Sequence, residues 1–223
     1  MCIRDSGEIE QDAEYTLLAI ASGLNLPAAQ LEIALSSDEP YRYASLYPIP
    51  EYTPGDGFTT DRALLYGLIR QESKFKTDAT SRVGARGLMQ LMPRTASYIS
   101  KDKSLRSKKG RNKLYNPSFN LALGQDYVEY LIANAADGNL FHMAAAYNGG
   151  PGNLGKWRRE VNIEDPLLFI ESIPNTESRN FVEKVLTNVW VYRARLGQDA
   201  PSRNKVAAGE LPLYEALDQL TAQ

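Results

Sequence analysis

Thr59-Thr60-Asp61-Arg62-Ala63-Leu64-Leu65-Tyr66-Gly67-Leu68-Ile69-Arg70-Gln71-Glu72-Ser73 is the stretch on which the reading of this chain turns. Leu65, Leu68, Ile69 and Glu72 recur at i, i+3, i+4 and i+7, one face of a helix. That face points at a core, and a carboxylate at its end is carried partly out of water. Desolvation disfavours the charged form, so the spacing predicts a raised pKa for Glu72. A carboxylic acid kept protonated in an apolar cleft is what general acid catalysis requires. The plainer alternative is a Glu at a ragged last turn, swung to solvent or paired with Arg70. Thr59 or Thr60 is expected to cap the helix.

The 223 residues suffice for one sizeable core or a core with an appendage. At 43% hydrophobic and 23% charged, the composition is that of an ordinary globular protein. A formal charge of −2 argues against a general nucleic-acid binder. No apolar run is long enough to cross a bilayer. Cys2 is the single cysteine, which excludes an internal disulfide. Met1 to Gly7 lacks the pattern of a signal peptide and reads as a remnant joined to an internal fragment.

Three divisions are expected: 1–51, an N-terminal remnant and the end of a helical-repeat domain with a linker; 52–200, the main domain; and 201–223, a C-terminal tail. Residues 8–48 read as two short helices, the first with Tyr15, Leu18, Ala19 and Ser22 on one face and the second over Pro27 to Leu35. The Pro- and Gly-rich run from Tyr47 to Gly57 is the linker. Ser81 to Met92, with two glycines and no helical stripe, reads as a short hairpin or irregular loop, and Pro93 opens a helix through Ile99. Lys101 to Lys113 holds seven bases and one acid, which reads first as a solvated loop and otherwise as a contact to an anionic polymer. Asn116, Asn139, Asp165 and Asn175 sit where helix caps belong, and Gly149-Gly150 and Gly197 where helices end. A weak amphipathic piece is expected over 213–220.

Several chemistries drop out. His142 is the only histidine and lies inside the Asn139 helix, so it reads as structural rather than as part of a triad. No CxxC, HExxH or EF-hand spacing marks a metal site, and no GxGxxG follows a strand. No cofactor is implied. What remains is acid–base chemistry on a carboxyl group. Between Ala79 and Lys101 there is no Asp or Glu, so the loop after Glu72 offers no second carboxylate. Most glycosidases use two; here a single-carboxylate mechanism assisted by a substrate group is favoured.

Four motifs then carry a resemblance. Glu72-Ser73, the run from Ser81 through Gly84-Ala85-Arg86-Gly87-Leu88-Met89-Gln90-Leu91-Met92-Pro93, Ala146-Tyr147-Asn148-Gly149-Gly150, and Glu171-Ser172-Ile173-Pro174 with Glu177-Ser178-Arg179-Asn180-Phe181-Val182 and Tyr192-Arg193 together resemble the soluble lytic murein transglycosylases over about 52–197. The resemblance implies a mainly α, lysozyme-like fold with a very small sheet. It implies cleavage of the β-1,4 bond between N-acetylmuramic acid and N-acetylglucosamine without water, leaving 1,6-anhydro ends, with Glu72 as acid and then base. It implies substrate contacts from Ser73, Ser81, Gln90, Met92, Tyr147, Asn148, Glu171 and Tyr192. It also implies a periplasmic monomer acting on peptidoglycan glycan strands, with other cell-wall enzymes as partners and no nucleic acid. Ser178 stands where that family usually has threonine, and Gly150 where alanine is common. Two alternatives stay open: a goose-type hydrolase, which needs a carboxylate to activate water, and a non-catalytic glycan-binding module.

Overall fold

A computed structural model describes residues 4–37, 42–160 and 165–218, with side chains left out for 4–12 and 42. Within them the chain forms helices α1 (Arg4–Gly23), α2 (Pro27–Ser36), α3 (Arg42–Ser45), α4 (Arg62–Glu72), α5 (Pro93–Ile99), α6 (Pro117–Asn134), α7 (Leu140–Gly149), α8 (Pro151–Glu160), α9 (Pro166–Glu171), α10 (Thr176–Arg195) and α11 (Pro201–Ala207). The caps fall where the sequence puts them. Asn116 accepts from Phe119 N, Asn139 from Phe141 N and His142 N, Asp165 from Leu167 N and Leu168 N, and Asn175 from Ser178 N. The small sheet is reduced to bridges: Arg86 pairs with Thr80 on one side and Leu91 on the other.

The core is built on α4 lying against α10. Gly67 makes this possible, because a Cβ there would sit 2.9 Å from Val189 Cγ2 and 3.1 Å from its backbone nitrogen. Leu64, Leu65, Leu68 and Ile69 on one helix, with Val182, Val185, Leu186 and Val189 on the other, are fully buried around that crossing. Burying side chains of this kind is worth about 1.5–3 kcal/mol each.

Several expectations are corrected. Neither Thr59 nor Thr60 caps α4: Asp61 holds the N-cap position without a side-chain cap bond, and both threonine hydroxyls bond Glu129 instead. The first helix starts at Arg4, taking in residues the sequence reading left outside it. Its inward pair is Leu18 and Ala21, whereas Tyr15 is 61% exposed. Directly after the Gly149-Gly150 stop, Pro151 opens the ten-residue helix α8. Over 213–218 there is no helix, and residues 219 and 220 lie outside the described range.

The segment after α11 is a strap rather than a loose tail. Tyr214 N bonds Gly138 O at 2.8 Å, and Leu140 N bonds Pro212 O at 2.9 Å. Asp61 accepts from Leu217 N, Asp218 N and Arg193 Nη2, the last at 2.9 Å. Both side chains of the Asp61–Arg193 pair are almost wholly buried, at 1% and 2% exposed. Asp218 in turn takes the Arg62 backbone N–H at 2.7 Å and its guanidinium at 3.0 Å. The carboxylate that could have capped α4 therefore ties the start of that helix to α10 and to the C-terminal strap.

Candidate active site

Glu72 is the last residue of α4. A negative charge at a helix C-terminus faces the unfavourable end of the dipole. Directly after it, Lys74 and Phe75 both take left-handed backbone angles, φ 51° and 65°. Left-handed geometry costs roughly 1–2 kcal/mol per ordinary residue, and here the full burial of the Phe75 ring offsets it. The sharp turn sends the chain back so that the 81–92 loop faces Glu72.

That loop is pinned from α6 by one buried amide. Asn120 Oδ1 accepts from Met89 N at 2.8 Å, while its Nδ2 donates to Arg86 O at 2.9 Å and Leu114 O at 2.8 Å. Gln90 is held in a left-handed conformation, φ 46°, by bonds from its Nε2 to Gly87 O and Ala79 O. Ser81 Oγ accepts from Ala85 N at 3.0 Å, closing the turn before it.

Together these elements enclose a cavity of about 230 Å³. Glu72 stands on one side, the loop contributes Ser81, Gln90 and Met92, and α7 contributes Tyr147 and Asn148. Tyr127 from α6, Thr95 from α5 and Glu177 from α10 complete the wall. A second hollow of about 270 Å³ shares Glu72, Asn148 and Glu177 and extends along α10 past Asn180 and Phe181 to Lys184. Glu72 thus sits between two adjoining halves of one groove.

No described residue donates a hydrogen bond to the Glu72 carboxyl, and Arg70 is not its partner. Arg70 donates to Leu46 O at 2.8 Å and Asn188 Oδ1 at 3.1 Å, with its guanidinium over the Tyr47 ring. Burial, and next the charge of Glu177, push the Glu72 pKa up to about 8. The shift favours the protonated form near neutral pH. Tyr147 is no rival for the proton: burial first, then Glu72 and Tyr127, hold its hydroxyl well above 10. That hydroxyl donates to Met89 O at 2.7 Å, and its ring stacks parallel on Phe181 at 6.2 Å. Asn148 Oδ1 accepts from Ser178 Oγ at 2.6 Å, which fixes the orientation of its amide in the groove wall.

Five of the eight expected contact residues line this groove: Ser81, Gln90, Met92, Tyr147 and Asn148. Three do not. Ser73 is buried with its hydroxyl on Ile69 O. Tyr192 is fully buried, its hydroxyl donating to Pro48 O at 3.1 Å and its ring set edge-on against Tyr66. Glu171 is exposed and pairs with Arg179 at 3.5 Å. The sequence reading missed Glu177, because the second carboxylate was sought in the loop after Glu72 and comes instead from α10. It also missed Asn120, a polar residue on the buried face of α6. His142 is structural as expected: its ring packs edge-on against Phe169, and burial lowers its pKa to about 4.

A family model described as the Transglycosylase SLT domain matches residues 53–170. This chain belongs to the SLT transglycosylase family. It is 35% identical over 160 residues to the soluble lytic murein transglycosylase of Salmonella typhimurium, covering 71% of this chain and 24% of that protein. The soluble lytic murein transglycosylase of Escherichia coli is 34% identical over 164 residues, covering 73% and 24%. The crystal structure of the 70 kDa soluble lytic transglycosylase of Escherichia coli superposes with a TM-score of 0.72 at 27% identity, covering 83% of this chain and 31% of that one. The chain therefore spans about a quarter of the length of these relatives. The mainly helical, lysozyme-like SLT fold is the one they share.

Proposed function

We propose that this chain is a lytic transglycosylase that cleaves the β-1,4 bond between N-acetylmuramic acid and N-acetylglucosamine in bacterial peptidoglycan. One observation carries the reading: a carboxyl with no hydrogen-bond partner among the described residues stands at the centre of a groove, where burial raises its pKa. The names of its relatives point to murein as the substrate, and the bond is the one the motif resemblance implies.

In this reading Glu72 gives its proton to the glycosidic oxygen as the bond to C1 breaks, and the glucosamine side leaves with a hydroxyl. The substrate's N-acetyl oxygen stabilises the cation developing at C1. Glu72, now ionised, takes the proton from the muramoyl C6 hydroxyl, whose oxygen closes on C1. No water is consumed, and the acid is restored. Tyr147 and Asn148 position the sugar rings, and Gln90 and Met92 line the opposite wall. Glu177 acts on the proton affinity of Glu72 through its charge.

Glu177 also gives the hydrolytic alternative its one support, because a second carboxylate does border the groove. The domain reading is part of the same proposal, with one change: 52–200 is the catalytic unit, joined by the strap through 218, and 1–51 is the end of a helical-repeat domain. A periplasmic site of action follows from the substrate. Glu72→Gln tests the reading: loss of cleavage by about 10²–10⁴-fold with retained binding of glycan strands is expected, and unchanged cleavage overturns it.

A further inference from the structure

The basic run over 101–113 is not a loose solvated loop. It forms two 3-10 helices, Lys103–Arg106 and Gly110–Tyr115, closed by Leu105 and Leu114, both fully buried. Gly110 is packed so tightly on the first of these that a Cβ would lie 2.0 Å from Ser104 O. Asp102 caps Ser104 N at 2.8 Å, and Arg106 Nε reaches Ser97 Oγ at 3.1 Å. On this frame Lys101, Lys103, Arg106, Lys108, Lys109 and Lys113 are all exposed. The lone acid of the run, Asp102, pairs with Lys113 at 3.5 Å and leaves the others without a neutralising partner inside the run. The run carries +6 on a chain of formal charge −2, so the rest of the molecule carries −8. An anionic polymer is repelled by most of the surface and drawn to this ridge.

The ridge is continuous with the groove. Arg106 bonds α5 at Ser97, and α5 places Thr95 in the groove wall. At the other end Tyr115 takes an N–H from Arg86 and pairs with the Thr80 hydroxyl at 2.7 Å, next to Ser81. Its apolar side chains point inward, so it has nothing to insert between lipid tails.

We propose that this ridge binds the carboxylate-bearing stem peptides of the glycan strand whose sugars occupy the groove, holding the strand by its anionic side arms beside Glu72. The proposal rests on the reading of the groove as a peptidoglycan site.

The test is co-sedimentation of the full chain with purified sacculi, either peptide-bearing or stripped of peptide by an amidase, across a salt series. Glu72→Gln is the background, so that nothing is cleaved. The triple variant Lys103→Gln, Lys108→Gln, Lys109→Gln should bind peptide-bearing sacculi about tenfold more weakly at low salt, with the difference closing near 0.5 M as charges are screened. Binding to stripped sacculi should be unchanged, and the matching triple Lys→Arg variant should bind like the parent. Equal binding by the Gln and parent forms overturns the proposal, as does an equal loss on stripped sacculi. Stronger ridge-dependent binding to vesicles of anionic phospholipid than to peptide-bearing sacculi also overturns it, in favour of a membrane surface. Cleavage is measured separately with Glu72 intact. If no cleavage occurs while peptide- and ridge-dependent sedimentation persists, the ridge assignment stands and the enzymatic reading fails.

Discussion

Asp61→Ala should be among the most damaging single changes outside the core. The substitution leaves the Arg193 guanidinium, 2% exposed, without its counter-ion. Two of its nitrogens, Nε and Nη1, are already buried without a partner among the described residues, so there is little to take up the freed charge. Removing one member of a buried ion pair costs about 3–5 kcal/mol. The backbone N–H groups of Leu217 and Asp218 lose their acceptor as well, but once released the strap can turn them to water, so they add little. A loss of about 4 kcal/mol lowers Tm by roughly 8–16 °C for a chain of this size. Urea titration followed by circular dichroism measures it. Asp61→Leu combined with Arg193→Met should recover most of the loss, because an apolar pair in such a site is close to neutral. A cost below about 1 kcal/mol for Asp61→Ala, or a double variant no better than the single, would refute the view that this pair fastens the strap to α4 and α10.

The pH dependence of kcat/KM should show activity falling as pH rises through about 8, since the protonated carboxyl is the competent form and its pKa is raised; a limb near the ordinary carboxylate value refutes the assignment. Glu177→Gln removes the smaller of the two causes and should move that limb down by less than about one unit, leaving most activity; complete loss would instead point to a water-activating base and hydrolysis. Asp218 is pushed up by burial, but hydrogen bonds from Arg62 outweigh this and hold its pKa below the usual value. The stability it contributes is therefore present above the unfolded carboxylate pKa and lost as pH falls through the folded one. Asp218→Asn should flatten the acid-unfolding curve below about pH 4. Asn120→Ala leaves Met89 N, Arg86 O and Leu114 O without their side-chain partner; a loss of about 2–4 kcal/mol, with faster amide exchange at Met89, is expected.

What the sequence disclosed was what is decided locally. Asn116, Asn139, Asp165 and Asn175 are read correctly because a cap bonds residues two or three positions on. The start of α4 is misread, with Thr59 or Thr60 expected as its cap, because the Asp61 carboxylate that stands there serves Arg193 and Leu217, far along the chain. The raised pKa of Glu72 was legible from its place at the end of an apolar stripe, since desolvation is its larger cause. Its second cause, Glu177, was not, because α10 meets α4 only through tertiary packing. Tyr192 belongs to a matching motif, but helical spacing alone could not tell a groove tyrosine from one whose hydroxyl is spent on Pro48 O. The order of the basic run escaped notice because two leucines at the spacing of Leu105 and Leu114 make no periodic signal.

In the proposed reaction one carboxyl cleaves the strand without water. Digestion of purified peptidoglycan in oxygen-18 water, with the released fragments weighed by mass spectrometry, tests it most directly. Unlabelled muropeptides one water lighter than hydrolytic products, ending in 1,6-anhydromuramoyl groups, are expected. Products that carry the label at a reducing C1 would contradict it and make the enzyme a hydrolase.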